Sequence, residues 1–195
     1  MKDEKRPSIL LNPDEVGQAL DRLAEGVLRW WDGLGDRPLR LIGVLEGARP
    51  LTRDLAARLK SARPQAKLHE HFVRSHGTQG LALLSGRELA LEGWDWQSLD
   101  SDPVLILDDL LDSGKTLQAL QAAARARLKS APKTAVLIRK YADCPFQTDF
   151  CGFDWALRRE DLRALNLKDR WLYGYGMDLE GRHRELDYVA WQDVR

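Results

Sequence analysis

Three aspartates, a glycine and a hydroxyl residue form the segment of this sequence best suited to chemistry. Asp108 and Asp109 follow the apolar run Val-Leu-Ile-Leu, Asp112 comes three residues later, and Gly114 and Thr116 complete the segment. Adjacent carboxylates can accept hydrogen bonds from a vicinal diol, and their oxygens are also the ligands that Mg²⁺ prefers. The acidic half of the segment therefore predicts a site for a diol or for a magnesium ion.

The second half of the segment predicts a phosphate site. Gly114 permits a positive φ and a close approach of the backbone to a ligand. The backbone N–H groups of Ser113, Gly114, Lys115 and Thr116 would lie at the start of a helix, where free donors and the helix dipole favour an anion. A ligand with a ribose diol near one phosphate would satisfy both halves. The alternative is an acidic turn that ends a strand and leads into a capped helix, without a ligand.

A nucleoside triphosphate P-loop is the other motif that the Gly-Lys-Thr triplet suggests. That motif requires a second glycine five positions before Gly114, and this sequence has Asp109 there. Two adjacent carboxylates would also repel a polyphosphate lying over them. The sequence therefore argues against a triphosphate site.

Alternating strands and helices are predicted to position the acidic segment. Residues 104–107 form a continuous apolar run typical of a strand buried on both faces, and residues 114–128 are rich in Ala and Leu, as a helix would be. Further strands are predicted at Leu39–Leu45, Leu68–Arg74 and residues 81–84, 134–138, 150–153, 171–173 and 188–191, and further helices at residues 13–31 and 48–59. This alternation favours an α/β fold with a mostly parallel central sheet, whose ligands bind at the carboxyl ends of the strands.

Composition restricts the function classes. The chain of 195 residues fits one domain, and its formal net charge of zero argues against a dedicated nucleic-acid or membrane-surface binder. Residues 1–6 are charged and precede no apolar segment, so no signal peptide is predicted, and no apolar stretch is long enough to span a membrane. Cys144 and Cys151 are predicted to be free thiols rather than a disulfide. We expect a cytoplasmic protein.

The sequence resembles the type I phosphoribosyltransferases, whose signature is an apolar run, two acids, a short spacer, Asp or Thr, a glycine and a hydroxyl residue. More narrowly it is similar to the hypoxanthine (guanine) phosphoribosyltransferase branch, over roughly residues 41–195. The resemblance implies a parallel sheet flanked by helices, with a small hood to which the helix at residues 13–31 and residues 171–195 contribute, all in one domain. It also implies Mg²⁺ as the cofactor and a homodimer or homotetramer.

The resemblance assigns roles within the acidic segment. Asp108 and Asp109 match the acids that hold the ribose hydroxyls of phosphoribosyl pyrophosphate, and both are candidate Mg²⁺ ligands. Asp112 matches the acid near N7 of the purine, a candidate general acid or base. Residues 113–116 match the loop that binds the 5′-phosphate.

Four residues near the C-terminal end of the chain match further parts of the family's site. Trp171 would stack on the purine, and the backbone at Leu172 would read its Watson–Crick edge. Asp178 would lie near the magnesium pyrophosphate, and Arg184 would meet the pyrophosphate.

Lys140 matches the lysine that contacts the oxygen at C6 of the base, although the neighbouring Arg139 leaves that register open by one residue.

The segment Leu45-Glu46-Gly47 resembles the family's pyrophosphate loop but departs from it in charge. The family often has Lys before the glycine, and this chain has Glu46. A carboxylate beside pyrophosphate is unfavourable. Either backbone donors together with Arg49 or Arg53 compensate, or the handling of pyrophosphate is altered.

Three further features of the sequence are less specific: a loop, an inserted segment and a pair of histidines. Ser75 and His76 match the start of the family's mobile catalytic loop, although an ordinary exposed hairpin would have the same composition. Residues 154–168 have no counterpart in the family, and we expect a short helix there that covers the base site or contributes to a subunit contact. The pair His69 and His71 would share one face of a strand, but without a third ligand we do not predict zinc.

The implied reaction is purine salvage by transfer of the 5-phosphoribosyl group from phosphoribosyl pyrophosphate to hypoxanthine or guanine, giving IMP or GMP and pyrophosphate. One alternative is a phosphoribosyltransferase for another base, such as xanthine or a pyrimidine. The other is a regulator that senses phosphoribosyl pyrophosphate without catalysis. Zero net charge and the base-site candidates Lys140 and Trp171 count against the regulator.

Overall fold

The computed structural model describes residues 7–74 and 102–194 of the chain. The predicted loop residues Ser75 and His76 and the predicted strand at residues 81–84 lie outside the described residues. Within the described part, no helix is both long enough and apolar enough to cross a membrane. Cys144 and Cys151 are free thiols, as predicted.

A five-stranded parallel sheet in the order β3-β2-β4-β5-β6 forms the centre of the fold, which confirms the predicted fold class. Its strands are β2 (Leu39–Leu45), β3 (Leu68–Arg74), β4 (Val104–Leu111), β5 (Lys133–Tyr141) and β6 (Phe150–Leu157). Both faces of β4 are buried, since Leu105 and Leu107 belong to one apolar cluster and Val104 and Ile106 to the other. Alternation of side chains along the strand produces this division.

Three longer helices cover the two faces of the sheet, α1 (Pro13–Asp32), α2 (Arg49–Ala62) and α3 (Lys115–Arg125). Apolar residues of α1 and α2 pack in the cluster that includes Leu105 and Leu107, and those of α3 pack in the cluster that includes Ile106. A capping box starts α1, because Asn12 accepts a hydrogen bond from the Glu15 N–H and the Glu15 carboxylate accepts one from the Asn12 N–H.

A second sheet joins the two ends of the chain. It contains β1 (Ser8–Leu11), β8 (Val189–Val194) and β7 (Asp169–Tyr173) in that order, all antiparallel, and a short helix α4 (Arg159–Ala164) precedes β7. This small sheet corresponds to the expected hood. The helix α1 packs against β6, α2 and β5. The assignment of the whole chain to one domain stays a prediction.

The strands β4 and β6 both extend past their predicted ends for the same reason. β4 continues beyond residue 107 to Leu111, because Asp108 and Leu110 still pair with Val136 and Ile138 of β5. Residues 154–157, predicted to belong to an inserted helix, continue β6 through pairing with β5, so the helix of that segment is confined to α4. Backbone pairing with a neighbouring strand therefore overrides the local polarity of both segments.

Candidate active site

A cleft of about 330 Å³ lies where β2, β4 and β5 end and where β7 passes over the large sheet. The polar residues that line it are Glu46, Asp108, Asp109, Asp112, Thr116, Lys140, Trp171, Asp178 and Arg184, and Val44, Leu45, Gly47, Leu110, Leu172 and Met177 complete the wall. Most residues singled out in the sequence are therefore together in one place. The apolar residues of the wall carried no signal in the sequence, apart from Leu45 and Leu172.

The two acids in the second half of β4 are partly buried and share one environment. The Asp109 N–H donates to the Asp108 carboxylate over 3.1 Å. Burial raises the pKa of Asp108 well above its ordinary value, and the adjacent Asp109 charge raises it further. Burial also raises the pKa of Asp109. The pair resists carrying two negative charges unless a donor or a cation is brought to it.

Gly47 allows the loop between β2 and α2 to lie against the acidic pair. A Cβ atom at Gly47 would come within 1.9 Å of the Asp109 carboxylate, which is far inside van der Waals contact. No other residue fits there without moving Asp109. The loop resembling a pyrophosphate site and the acids resembling a ribose site are therefore in direct contact.

The predicted phosphate loop has the expected helix start. Gly114 has a φ of +74° and caps α3, and a Cβ at this position would come within 2.3 Å of the Phe146 Cβ. Thr116 lines the cleft, while Ser113 and Lys115 are exposed beside it in the chain. The first turn of α3 thus presents its free N–H groups next to the acidic pair.

Lys140, rather than Arg139, reaches the cleft. The Lys140 side chain is 2 % exposed, and its Nζ lies 3.2 Å from the Asp112 carboxylate and 2.8 Å from that of Asp169. Arg139 pairs instead with Asp154 on β6. Alternation along β5 sends the two neighbouring cations to opposite faces of the sheet.

Asp169 is a residue of the site that the sequence did not identify. Its carboxylate accepts hydrogen bonds from the Lys140 ammonium and from the Tyr141 hydroxyl. Burial favours a higher pKa of Asp169, but these two hydrogen bonds outweigh burial, so its pKa is lowered. The sequence did contain one indication of Asp169. It is two residues before the predicted base-stacking Trp171 and therefore lies on the same face of β7.

Trp171 and Arg184 are held by the segment that follows β7. The Trp171 ring is half exposed, and its Nε1 donates to the Asp178 carbonyl over 2.7 Å. Arg184 donates to the Asp178 carboxylate over 2.5 Å and to the Gly176 carbonyl over 2.6 Å. The Asp178 carboxylate also accepts a hydrogen bond from the Gly181 N–H. An indole and a guanidinium that line one cleft are thus both fixed by hydrogen bonds to Asp178.

Two arginines neutralise Glu46. Its carboxylate lies 3.0 Å from Arg49 and 3.0 Å from Arg74. The hydrogen bond from Arg49 is the main reason that the pKa of Glu46 is lowered. Arg49 and Arg53 also line an adjoining cleft with Arg184. Arg49, Arg74 and the nearby Arg184 therefore offset the negative charge of Glu46.

His69 and His71 form no metal site with other residues of the described ranges, where no three His, Cys, Asp or Glu side chains converge for a metal ion. His69 and His71 lie on β3, opposite Arg40 and Ile42 of β2.

Residues 8–147 match the phosphoribosyl transferase domain family. The chain belongs to this family. The matched range contains the acidic pair, Asp112, the phosphate loop and Lys140, whereas Trp171 and Arg184 lie beyond it. As a phosphoribosyl transferase domain, the chain brings those two residues to the same cleft through β7 and the segment that follows it.

The relatives of this phosphoribosyl transferase domain include proteins of similar length and proteins that are much longer. Hypoxanthine-guanine phosphoribosyltransferase of Bacillus subtilis is 29 % identical over 185 residues, which cover 93 % of this chain and 91 % of the relative. The bifunctional protein TilS/HprT of Listeria innocua is 26 % identical over 184 residues, and the chain spans 25 % of its length. The crystal structure of Trypanosoma cruzi hypoxanthine phosphoribosyltransferase superimposes with a TM-score of 0.75 at 24 % identity, covering 96 % of this chain and 97 % of the other.

The buried acidic pair leads to a stability prediction. Because the folded state raises the pKa of Asp108 above its ordinary 3.8, the folded protein keeps this proton to higher pH than the unfolded chain does. The free energy of unfolding therefore falls as pH rises from the ordinary pKa of Asp108 toward its raised pKa in the folded protein. Asp108→Asn removes the penalty, and we expect its Tm to exceed that of the wild type by roughly 2–4 °C at pH 8.

Thermal unfolding in EDTA at pH 4 and pH 8 measures this effect. The difference between variant and wild type should be larger at pH 8. Asp36→Asn, at an exposed turn, is the matched control and should give no such difference. A lower Tm of Asp108→Asn at pH 8 would show that the carboxylate is stabilised, rather than destabilised, by its surroundings.

Proposed function

We propose that this chain transfers the 5-phosphoribosyl group from phosphoribosyl pyrophosphate to N9 of hypoxanthine or guanine, giving IMP or GMP and pyrophosphate in purine salvage. Family membership and the names of the relatives support the reaction class. The observation that carries the choice of base is the buried Lys140 ammonium in the same cleft as Trp171. An ammonium is a donor only, so it favours the C6 oxygen of a 6-oxopurine over the amino group of adenine.

The ribose 5-phosphate end of the substrate would occupy the β4–α3 junction. Asp108 and Asp109 would accept hydrogen bonds from the two ribose hydroxyls, and such donors relieve the crowding of two buried carboxylates. The N–H groups around Gly114 and the Thr116 hydroxyl would hold the 5′-phosphate at the start of α3. These contacts fix the position of C1′ for the reaction.

Mg²⁺ fits this site as a partner of the substrate. Asp108, Asp109 and Asp178 offer carboxylate oxygens in one cleft, and Mg²⁺ is usually bound through one or two carboxylates together with phosphate oxygens and water. Mg²⁺ would supply positive charge to the departing pyrophosphate. Arg184, held by Asp178 and the Gly176 carbonyl, is directed at the same region.

In the transfer step, the C1′–O bond to pyrophosphate breaks and a bond from N9 to C1′ forms. The negative surroundings of the acidic pair would favour the positive charge that develops on the ribose, and Arg184 would stabilise the leaving pyrophosphate. Asp112 would accept the proton that the base releases, as a general base near N7. Trp171 would stack on the purine and keep its edge toward Lys140.

Glu46 leads to a prediction about the affinity for phosphoribosyl pyrophosphate. Glu46→Gln would leave Arg49 and Arg74 without a nearby carboxylate from this loop, and the cleft would become more positive. We expect the KM for phosphoribosyl pyrophosphate to fall by about two- to fivefold at low salt, and the difference to shrink as salt is added. Stability should hardly change, because exposed ion pairs contribute little.

Steady-state kinetics at two ionic strengths measures the Glu46 effect. Glu25→Gln on α1 is the control, since Glu25 pairs with Arg29 on an exposed surface away from the cleft. A rise in the KM of Glu46→Gln would mean instead that Glu46 holds the two arginines in the geometry that the substrate needs.

The two alternatives remain distinguishable by experiment. Assays with hypoxanthine, guanine, xanthine, adenine and uracil separate the bases, and preference for a 6-oxopurine over adenine supports this proposal. Turnover of uracil alone would contradict it. Binding of phosphoribosyl pyrophosphate without turnover of any base would favour a regulator. A homodimer or homotetramer and a cytoplasmic location stay predictions from the family resemblance and the composition.

A further inference from the structure

Lys140 is enclosed in a network that none of the roles above explains. Its Nζ lies closer to Asp169, at 2.8 Å, than to Asp112, at 3.2 Å. The Asp169 carboxylate also accepts hydrogen bonds from the Tyr141 hydroxyl and, over 2.6 Å, from the Arg170 N–H. Asp169 is thus fixed by three donors, one of which is the candidate base-binding ammonium.

We propose that Asp169 is a positioning residue for base recognition, which holds the Lys140 ammonium toward the C6 oxygen of the purine and weakens its pairing with Asp112. This inference rests on the proposed function and adds a residue to it. Asp169 acts through Lys140 and need not touch the base.

Competition between two carboxylates is the physical basis of this role. A buried ammonium requires a charged partner, and with Asp112 as its only close carboxylate it would pair there tightly. Asp112 would then be engaged by a cation and would be a weaker base. The closer Asp169 shares that charge, so that Lys140 reaches Asp112 only over the longer distance of 3.2 Å. The Asp112 side chain is 43 % exposed and stays open to the cleft.

The network also connects the base-stacking strand to the large sheet. Asp169 and Trp171 are two residues apart on β7, and Trp171 pairs with Gln192 of β8 in the small sheet. Lys140 and Tyr141 belong to β5 of the large sheet. The ion pair therefore sets the position of the ammonium relative to the strand that carries the indole.

The segment 154–168 supports this network from outside. The Arg159 guanidinium lies 3.8 Å over the Tyr141 ring, and Arg159 also pairs with Asp143. These contacts hold Tyr141 in place, and its hydroxyl donates to Asp169. The segment was expected to cover the base site or to contribute to a subunit contact. Its contacts support Tyr141, whose hydroxyl donates to Asp169, the partner of the base-binding Lys140.

Asp169→Asn tests the proposal, with Asp154→Asn as the matched control, because Asp154 is the carboxylate paired with the neighbouring Arg139. We expect the KM for hypoxanthine to rise by about 10- to 100-fold in Asp169→Asn, and the preference for hypoxanthine over adenine to fall. The KM for phosphoribosyl pyrophosphate should change by less than about threefold, since the ribose and phosphate contacts lie elsewhere. Tyr141→Phe, a milder change in the same network, should shift the hypoxanthine KM in the same direction.

The possible outcomes separate the two proposals. Wild type that turns over hypoxanthine, together with a selective loss in Asp169→Asn and Tyr141→Phe but not in Asp154→Asn, supports the role of Asp169. An active wild type with an unchanged KM for hypoxanthine in both network variants overturns the role of Asp169 and leaves the proposed function intact. Equal changes in the two KM values would show a merely structural effect and overturn it too. An inactive wild type overturns the proposed function, and this inference with it.

Discussion

Replacing Asp112 with Asn is expected to lower kcat by about 10²- to 10⁴-fold, the range typical of a lost general base. The amide keeps an oxygen that can accept the hydrogen bond from Lys140, so the cleft should hold its shape. It cannot accept the proton that leaves the purine. The dissociation constant for phosphoribosyl pyrophosphate should change by less than about threefold, because the ribose and phosphate contacts come from other residues.

Pre-steady-state measurement of IMP formation and calorimetric binding of phosphoribosyl pyrophosphate test the two halves of this prediction. Asp21→Asn is a suitable control, since its carboxylate is exposed on α1 and pairs with Arg58. Equal losses in rate and in substrate affinity for Asp112→Asn would contradict the assignment, because they would indicate that Asp112 binds the ribose phosphate rather than acting on the base.

Replacing Lys140 with Met is expected to reduce kcat/KM for hypoxanthine by about 10- to 100-fold and to weaken the preference for 6-oxopurines over adenine. The thioether fills a similar volume but cannot donate to the C6 oxygen. It also leaves Asp112 and Asp169 facing each other without a cation. Both carboxylates are partly exposed, so we expect a loss of stability of about 1–3 kcal/mol, less than for a fully buried pair.

Kinetics with both bases and denaturant unfolding measure these effects. The control is Lys133→Met on the same strand, where the lysine pairs with Asp149 and is 42 % exposed. Lys133→Met should retain activity and selectivity and lose little stability. If Lys140→Met kept its selectivity for hypoxanthine, the ammonium would have no part in base recognition.

The parts of the site that are contiguous in sequence were predictable. A strand, two acids, a glycine and a hydroxyl residue fall within a single strand–helix junction, and each has a local physical requirement that its residue type reveals. Gly114 has the positive φ that was expected of it. The fold class followed in the same way, from buried apolar runs that alternate with helical segments.

The contacts between distant segments were not predictable from residue types. Lys140 and Asp169 are 29 residues apart, and nothing in the sequence between them indicates that α4 and the turn after it return the chain to β5. Of the two arginines paired with Glu46, Arg49 was a candidate in the sequence, whereas Arg74 arrives from the neighbouring strand β3 and was not. Pairing of charges across a sheet depends on strand order and register, which periodicity alone does not determine.

The formation of IMP and pyrophosphate from hypoxanthine and phosphoribosyl pyrophosphate, in the presence of Mg²⁺, tests the central claim most directly. We predict that the wild-type protein forms both products in equal amounts and that Asp112→Asn forms them at least about 10²-fold more slowly. Binding of phosphoribosyl pyrophosphate without formation of IMP, GMP or any other nucleotide would contradict the claim. In that case the cleft would serve recognition of phosphoribosyl pyrophosphate rather than transfer.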